Sequence, residues 1–459
     1  MEDTIAAIAT PFGEGGIGII RLSGDEAGRI LSEVFVPAGK AGTDETGSRK
    51  LMYGRVKDPD TGNVIDEVLA VFMKGPHTYT GEDVAEIDCH GGIVPLRRTL
   101  ELVYSRGARP AERGEFTKRA FLNGRIDLSQ AEAVIDLVKA KADRSFDVAM
   151  DQLQAKLSDD IRKIRAKLMD LLVELTVNID YPDEDIEVIT YERLDSGLKD
   201  VQADIGRLLA SSNTGRLISE GIKVSIIGKP NVGKSSLMNA LLRESRAIVT
   251  DIPGTTRDTI QESLAIDGIP VVLTDTAGIR ETEDKIETIG IERSKASFNE
   301  ADLVLFMIDG SRELSAEDRL IAEHLDPQKT VCIINKSDME QKVTADEIKA
   351  LSGGAPAVET TLLDDSGAEA IERIIKDRVL AGETSQEESV TVTSARHEQL
   401  LKQAEQSVKD ALVLVGEEEP VEIIEIDVNQ AYESLGEIIG ESVGDDIIDE
   451  VFSRFCLGK

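Results

Sequence analysis

The chain has 459 residues, 41% of them hydrophobic, with no tryptophan and a formal charge of −35. That length exceeds one ordinary core and points to about three domains, while the acidic balance speaks against a broad nonspecific nucleic-acid surface, which needs dense Lys and Arg. The cysteines Cys89, Cys332 and Cys456 lack disulfide or metal-cluster spacing, no apolar run spans a bilayer, and Met1-Glu2-Asp3 is unlike a targeting peptide; a cytoplasmic protein without membrane contact is expected.

Residues 1–118 alternate short apolar runs with glycine-rich turns, such as Ile5–Ala9, Ile17–Ile20, Leu69–Phe72 and Val84–Ile87, which predicts a mixed α+β domain. Gly13 to Gly18 fits G-x-G-x-x-G, but the apolar run Ile17–Leu22 after it reads as a strand, so a turn between strands is predicted and not a dinucleotide site. From Asp127 to about Ala210 long helical periodicity takes over, broken by Tyr181-Pro182. Residues 119–215 are therefore taken as the first part of a helical domain. Strands and helices alternate over 216–381, which predicts a doubly wound sheet. An acidic linker, Gly382–Glu388, precedes renewed helical periodicity over 382–459. The expected architecture is multidomain: an α+β domain, an all-α domain in two parts, and a Ras-like P-loop α/β domain inserted between those parts.

Gly228-Lys229-Pro230-Asn231-Val232-Gly233-Lys234-Ser235 sits between the strand-like run Ile222–Ile227 and the helical run Leu237–Leu242. In that context it is a phosphate-binding loop: backbone N–H groups cradle phosphates, Lys234 reaches the outer ones, and the Ser235 hydroxyl suits Mg²⁺, with Ser236 beside it. Asp275-Thr276-Ala277-Gly278 ends the next strand; Asp275 can hold Mg²⁺ through water and the Gly278 N–H can sense a γ-phosphate. Asn335-Lys336-Ser337-Asp338 follows another buried run, with a carboxylate suited to the paired N–H donors of guanine, which adenine lacks. The order of the three motifs is that of a GTPase.

Two departures bear on mechanism. Ile279 stands where Ras-type GTPases carry a water-orienting glutamine, so hydrolysis is slow or another group takes over, and the acidic stretch Glu281–Glu292 offers candidates or only a solvated face. Asn231 in the loop and Thr250–Thr256 in the expected first switch supply an oxygen-rich shell suited to a hard cation beside the β/γ-phosphates; Asn231 alone equally reads as a loop stabiliser. Thr256 is the candidate Mg²⁺ ligand and γ-phosphate sensor. Cys456, beside Phe455 after the helical run Ile447–Phe452, reads as a buried apolar residue, although Arg454 and Lys459 are near enough in sequence to activate a thiol.

Across essentially its full length the chain resembles the tRNA uridine-modification GTPases called MnmE or TrmE. The resemblance is carried by Asp3–Pro11 with Gly15–Arg21, Tyr79–Asp83, His90-Gly91-Gly92, Gly114–Asn123, the GTPase motifs, Gly254–Asp258, Ile289–Arg293 and Phe455–Lys459. It implies a K⁺-dependent GTPase whose two G domains meet across their switch faces. K⁺ would be held by Asn231, Thr250, Ile252 and Thr255, with Glu287 positioning the attacking water. Thr360-Thr361-Leu362 matches the guanine-contacting loop, in place of a more usual Ser-Ala-Lys-like stretch. In the N-terminal domain the resemblance implies a 5-formyl- or methylene-tetrahydrofolate pocket at a homodimer interface, with Arg21, Glu86, Arg125 and Lys459 as its residues; Arg125 stands where a lysine is frequent.

The implied activity is installation of an aminomethyl-type group, including carboxymethylaminomethyl, on carbon 5 of the wobble uridine of certain tRNAs. Because this chain carries no recognisable flavin fingerprint, a flavin-containing partner would perform the oxidation in a heterotetramer. The rival expectation is a GTP-gated RNA or ribosome assembly factor without modification chemistry, against which stand the acidic charge and the folate-like N-terminal segment.

Overall fold

The computed structural model describes residues 3–11, 13–38, 48–180, 190–244, 261–275, 301–363, 366–380, 391–456 and 458–459. They fall into two compact units, Met1–Ile135 with Leu435–Lys459, and Asp136–Ser434. Among the described residues no helix is long and apolar enough to cross a membrane.

The first unit is built on seven strands: β1 (Ile5–Ile8), β2 (Gly15–Ser23), β3 (Phe35–Pro37), β4 (Met52–Lys57), β5 (Val64–Met73), β6 (Val84–Gly91) and β7 (Arg109–Pro110). Their order is β3-β4-β5-β6-β2-β1-β7, antiparallel throughout except for β1 beside β7. Side chains alternate across a strand, so each strand serves two faces. Ile20, Leu22, Ala85, Ile87 and Val68 point to the face covered by helices Ala27–Val34 and Ile93–Ser105, while Ile5 and Ala7 point the other way, onto Phe116 and Tyr79. β2 begins at Gly15, so the glycine-rich stretch enters a strand and not a helix, as its sequence predicts.

Arg119, on the helix Glu115–Leu122, is fully buried and ties this unit together. Its guanidinium donates to Glu115 at 3.0 Å, Glu82 at 3.0 Å, and the Asp3 carboxylate at 2.9 Å. Arg109 adds a fork onto both Glu115 oxygens at 2.6 and 2.9 Å. Burial pushes the Glu115 carboxyl up, but Arg109, the Glu112 N–H and Arg119 outweigh it and leave it below its usual value.

In the second unit, helical seams flank a second sheet. Buried residues follow 4,3 spacing along Lys156–Asp180 (Leu157, Ile161, Ile164, Leu168, Leu171, Leu175), Tyr191–Glu220 (Leu194, Leu198, Val201, Ile205, Leu208) and Ala395–Gly416 (Leu401, Ala404, Val408, Ala411, Val415). That spacing makes one apolar stripe per helix and favours nearly antiparallel bundle packing. The helix Ala395–Gly416 packs on Tyr191–Glu220, so the chain leaves the helical layer, builds the sheet, and returns.

The second sheet contains β8 (Ile222–Ile227), β9 (Gln261–Ile266), β10 (Ile269–Asp275), β11 (Leu303–Asp309), β12 (Thr330–Asn335) and β13 (Ala357–Glu359), in the order β13-β12-β11-β8-β10-β9. All neighbours are parallel except β9 with β10. Every residue of β11 and β12 is buried because both faces are covered. Leu305, Met307 and Ile333 join Leu237 and Ile371 on one side; Phe306, Ile308 and Cys332 join Ala322 and Ile348 on the other. The chain moves from β8 to β10 on one side and to β11 on the other, and such a switch point opens a crevice at the carboxyl ends of the strands.

Removing Arg119 would take a cation from the buried Glu115 and the half-buried Glu82. Arg119→Leu is expected to destabilise the protein by about 3–5 kcal/mol at neutral pH in urea unfolding. Since the folded Glu115 value lies below the unfolded one, its contribution is present above about pH 4.5 and lost on further acidification, so the penalty should shrink there. An equal penalty at pH 7 and below pH 4 would contradict this account.

Candidate functional site: a phosphate loop and a guanine pocket

The loop 228–233 leaves the carboxyl end of β8 and enters the helix Lys234–Glu244. Gly228, Asn231 and Gly233 all have positive φ, at 140°, 66° and 112°. This left-handed backbone turns successive N–H groups inward, the form of an anion-binding nest. A Cβ on Gly233 would lie 2.2 Å from Asn335 Nδ2, so this position has neither the conformation nor the room for a side chain. Lys234 is buried and its Nζ donates to the Gly228 and Lys229 carbonyls at 2.7 Å each. Ser235 and Ser236 are exposed at the start of the helix, where the helix dipole and unpaired N–H groups favour an anion. Val232 is buried and anchors the loop from within.

Asn335 ends β12 beside this loop, and its Nδ2 donates to the Val232 carbonyl at 2.8 Å. Two of the sequence motifs are thereby joined directly. Lys336, with φ 67°, holds its Nζ 2.6 Å from Asp309 at the end of β11, and Asp309 also accepts from Ser311 N–H and Oγ. Burial pushes the Asp309 carboxyl up, but Lys336 and Ser311 outweigh it and hold it below the usual range. Asp338 is exposed and accepts from Thr361 Oγ1 at 2.9 Å. The Thr360 N–H donates to Ile334 O at 2.9 Å, which fastens Thr360-Thr361-Leu362 to the end of β12. Asp338 and that segment therefore form one edge, suited to a planar base with adjacent donors.

Asp275 closes β10 in register with Ile226 of β8, one strand from the loop. Thr250, Ile252, Thr255, Thr256, Thr276, Ala277, Gly278 and Glu287 lie outside the described residues.

The four N-terminal candidates share the first unit. Arg21 and Glu86 are cross-strand partners on β2 and β6 and form an ion pair at 2.7 Å. The Arg21 guanidinium lies 5.5 Å from the Tyr79 ring centroid and 5.9 Å from that of Phe116. Arg125 covers the same Tyr79 ring at 5.0 Å and donates to the Tyr79 carbonyl at 3.0 Å. Lys459 has its ammonium pKa lowered, chiefly by burial and then by the charge of Arg21. Gly458 makes this placement possible: its φ is 88°, and a Cβ there would lie 2.2 Å from Ile8 O. The result is a set of cations and one carboxylate, half-buried except for the exposed Arg125, with Arg21 and Arg125 beside aromatic faces, able to hold a flat, polar heterocycle with an acidic tail.

Cys456 differs from its sequence expectation. Phe455 is buried, whereas Cys456 is exposed, because the turn after the helix Asp445–Ser453 sends the aromatic ring inward against Phe452. Two contacts were not visible in the motifs: the Tyr79–Phe116 platform under Arg21, and an ion pair from Lys229 of the phosphate loop to Asp318 at 2.6 Å. The residues of each pair are far apart in sequence: Tyr79, Phe116 and Lys229 each lie inside a recognised motif, but the motifs do not say which residues meet, and Asp318 lies in none.

Two family models match the chain. The MnmE helical domain matches residues 128–456 and the GTP-binding protein TrmE N-terminus matches residues 4–125. Among curated relatives, proteins named tRNA modification GTPase MnmE from Alkaliphilus metalliredigens and Alkaliphilus oremlandii are each 48% identical over 459 residues, covering 100% of both chains. The protein of that name from Clostridioides difficile is 47% identical with the same coverage. With matching models over both parts and relatives of this identity along its whole length, the chain belongs to the MnmE (TrmE) family of tRNA modification GTPases.

Proposed function

We propose that this chain is a K⁺-dependent GTPase that, with a flavin-containing partner, modifies carbon 5 of the wobble uridine in certain tRNAs in the cytoplasm. The observation that carries the GTP reading is the direct joining of the phosphate loop to the guanine-type element through Asn335 and Val232. Lys234 would exchange its two carbonyl partners for β- and γ-phosphate oxygens, and Asp338 would accept from the guanine ring and amino N–H groups. Lys336, restrained by Asp309, would lay its aliphatic stem along the base.

The donor set suits the implied ions. Ser235 offers an exposed hydroxyl at the helix start for Mg²⁺, completed by Thr256, and Asn231 offers an amide oxygen for K⁺, completed by Thr250, Ile252 and Thr255. When bound, the two cations would neutralise charge developing on the β/γ-phosphates. Glu287 would orient the attacking water, a role that Ile279 has no polar group to perform.

The N-terminal cluster supports a tetrahydrofolate site, its one-carbon unit 5-formyl or methylene. Glu86 would accept from the pterin amino and ring N–H groups, and Arg21, Arg125 and Lys459 would meet the glutamyl tail. The pocket is proposed to lie at a homodimer interface. The flavin partner would supply the oxidation, the tRNA the uridine, and glycine or ammonium the amine. Closure and reopening of paired G domains would couple GTP hydrolysis to the modification.

Glu287→Ala is expected to abolish GTP turnover in KCl while leaving GTP affinity within about threefold of wild type. Turnover near wild type would remove Glu287 from the mechanism, and equal wild-type rates in KCl and NaCl would remove K⁺. For the folate site, Arg21→Ala in the full-length protein should weaken 5-formyl-tetrahydrofolate binding about tenfold or more by calorimetry. An unchanged Kd would exclude Arg21 from that site.

A further inference from the structure

We propose that Asp318 is a positioning residue for the phosphate loop, acting through Lys229; the inference rests on the reading of that loop as the GTP site. Lys229 is the second residue of the loop. Its carbonyl accepts from Lys234 Nζ at 2.7 Å, so its backbone borders the phosphate-binding lysine. Its own ammonium points the other way, 2.6 Å from Asp318 Oδ2 and donating to Ser315 Oγ at 2.8 Å.

Asp318 is 1% exposed. Its Oδ2 also accepts from Ser315 N–H and Oγ at 2.9 Å each, which caps the helix Ala316–Ala322. Oδ1 is buried and has no hydrogen-bond partner among the described residues. A carboxylate removed from water in this way is costly unless a cation stays beside it, so Lys229 is held firmly. The first loop residue lies close against β11, since a Cβ on Gly228 would fall 2.4 Å from Met307 O. The start of the loop is therefore packed closely against β11 and tied by Lys229 to the helix that follows it.

A loop fixed before its ligand arrives loses less freedom on binding. Lys229 and Asp318 thus raise nucleotide affinity without touching the nucleotide, and their effect falls on dissociation more than on chemistry.

The test is stopped-flow dissociation and equilibrium binding of fluorescent GDP and GTP analogues to full-length wild type, Lys229→Met, Lys229→Arg, Asp318→Asn and the double variant Lys229→Met/Asp318→Asn. Lys229→Met leaves the Ser315 cap on Asp318 intact, so it reports on the clamp even if Asp318→Asn folds poorly. Lys229→Met and Asp318→Asn should each weaken both nucleotides about 3- to 10-fold, chiefly through faster dissociation, and in Asp318→Asn, which lies outside the loop, kcat at saturating GTP should stay within about twofold. Lys229→Arg should recover most of the affinity, and the double variant should be no worse than the poorer single one. Wild-type affinity in Lys229→Met, or fully additive losses, would overturn the clamp alone. Failure of wild type to bind either guanine nucleotide would overturn the reading of the loop and the clamp with it.

Discussion

The turn from β8 into the helix Lys234–Glu244 is the constraint around which the nucleotide-binding half of this protein is arranged. A phosphate nest demands positive φ at interspersed positions, and this loop has it at Gly228, Asn231 and Gly233. Such a backbone does not hold itself. Val232 anchors it below, Asn335 fastens it to β12, and Lys229 ties it to Asp318. The parallel sheet contributes by running β8, β10 and β12 in one direction, so that the phosphate loop, Asp275 and Asn335 all lie at the carboxyl ends of their strands.

An acidic protein that binds anionic ligands must keep its useful cations in place. Here two of the candidate binding cations are held by carboxylates, Arg21 by Glu86 and Lys336 by Asp309, as is Lys229 by Asp318 beside the loop. Each pair fixes a long side chain whose freedom would otherwise be lost on binding. The same device appears without a ligand in the core of the first unit, where Arg119 is buried among Glu82, Glu115 and Asp3.

Much of this organisation is legible in the sequence because it is local. The phosphate loop is a backbone conformation written by Gly228, Gly233 and their flanking strand and helix, and the fully apolar runs of β11 and β12 announce a sheet covered on both faces. The 4,3 spacing of Leu194 to Leu208 and Leu401 to Val415 announces two helices with apolar stripes, and Ala395–Gly416 packs on Tyr191–Glu220 although the second sheet lies between them in the chain. Pairings that depend on tertiary folding are not written in this way. Nothing near Asp318 marks it as the partner of Lys229, since a Ser315–Asp318 capping box explains it fully in local terms. Tyr79 and Phe116 become one platform only when the segments around β1 meet, and the direction of Cys456 is set by where the ring of Phe455 finds its place.

The central claim is that hydrolysis by this chain serves wobble-uridine modification. Its most direct test is mass-spectrometric nucleoside analysis of tRNA from cells lacking the protein and complemented with either wild type or Glu287→Ala. The account predicts loss of a carbon-5-modified wobble uridine in the deletion, restored by wild type and not by the variant. A nucleoside profile unchanged by the deletion would contradict it.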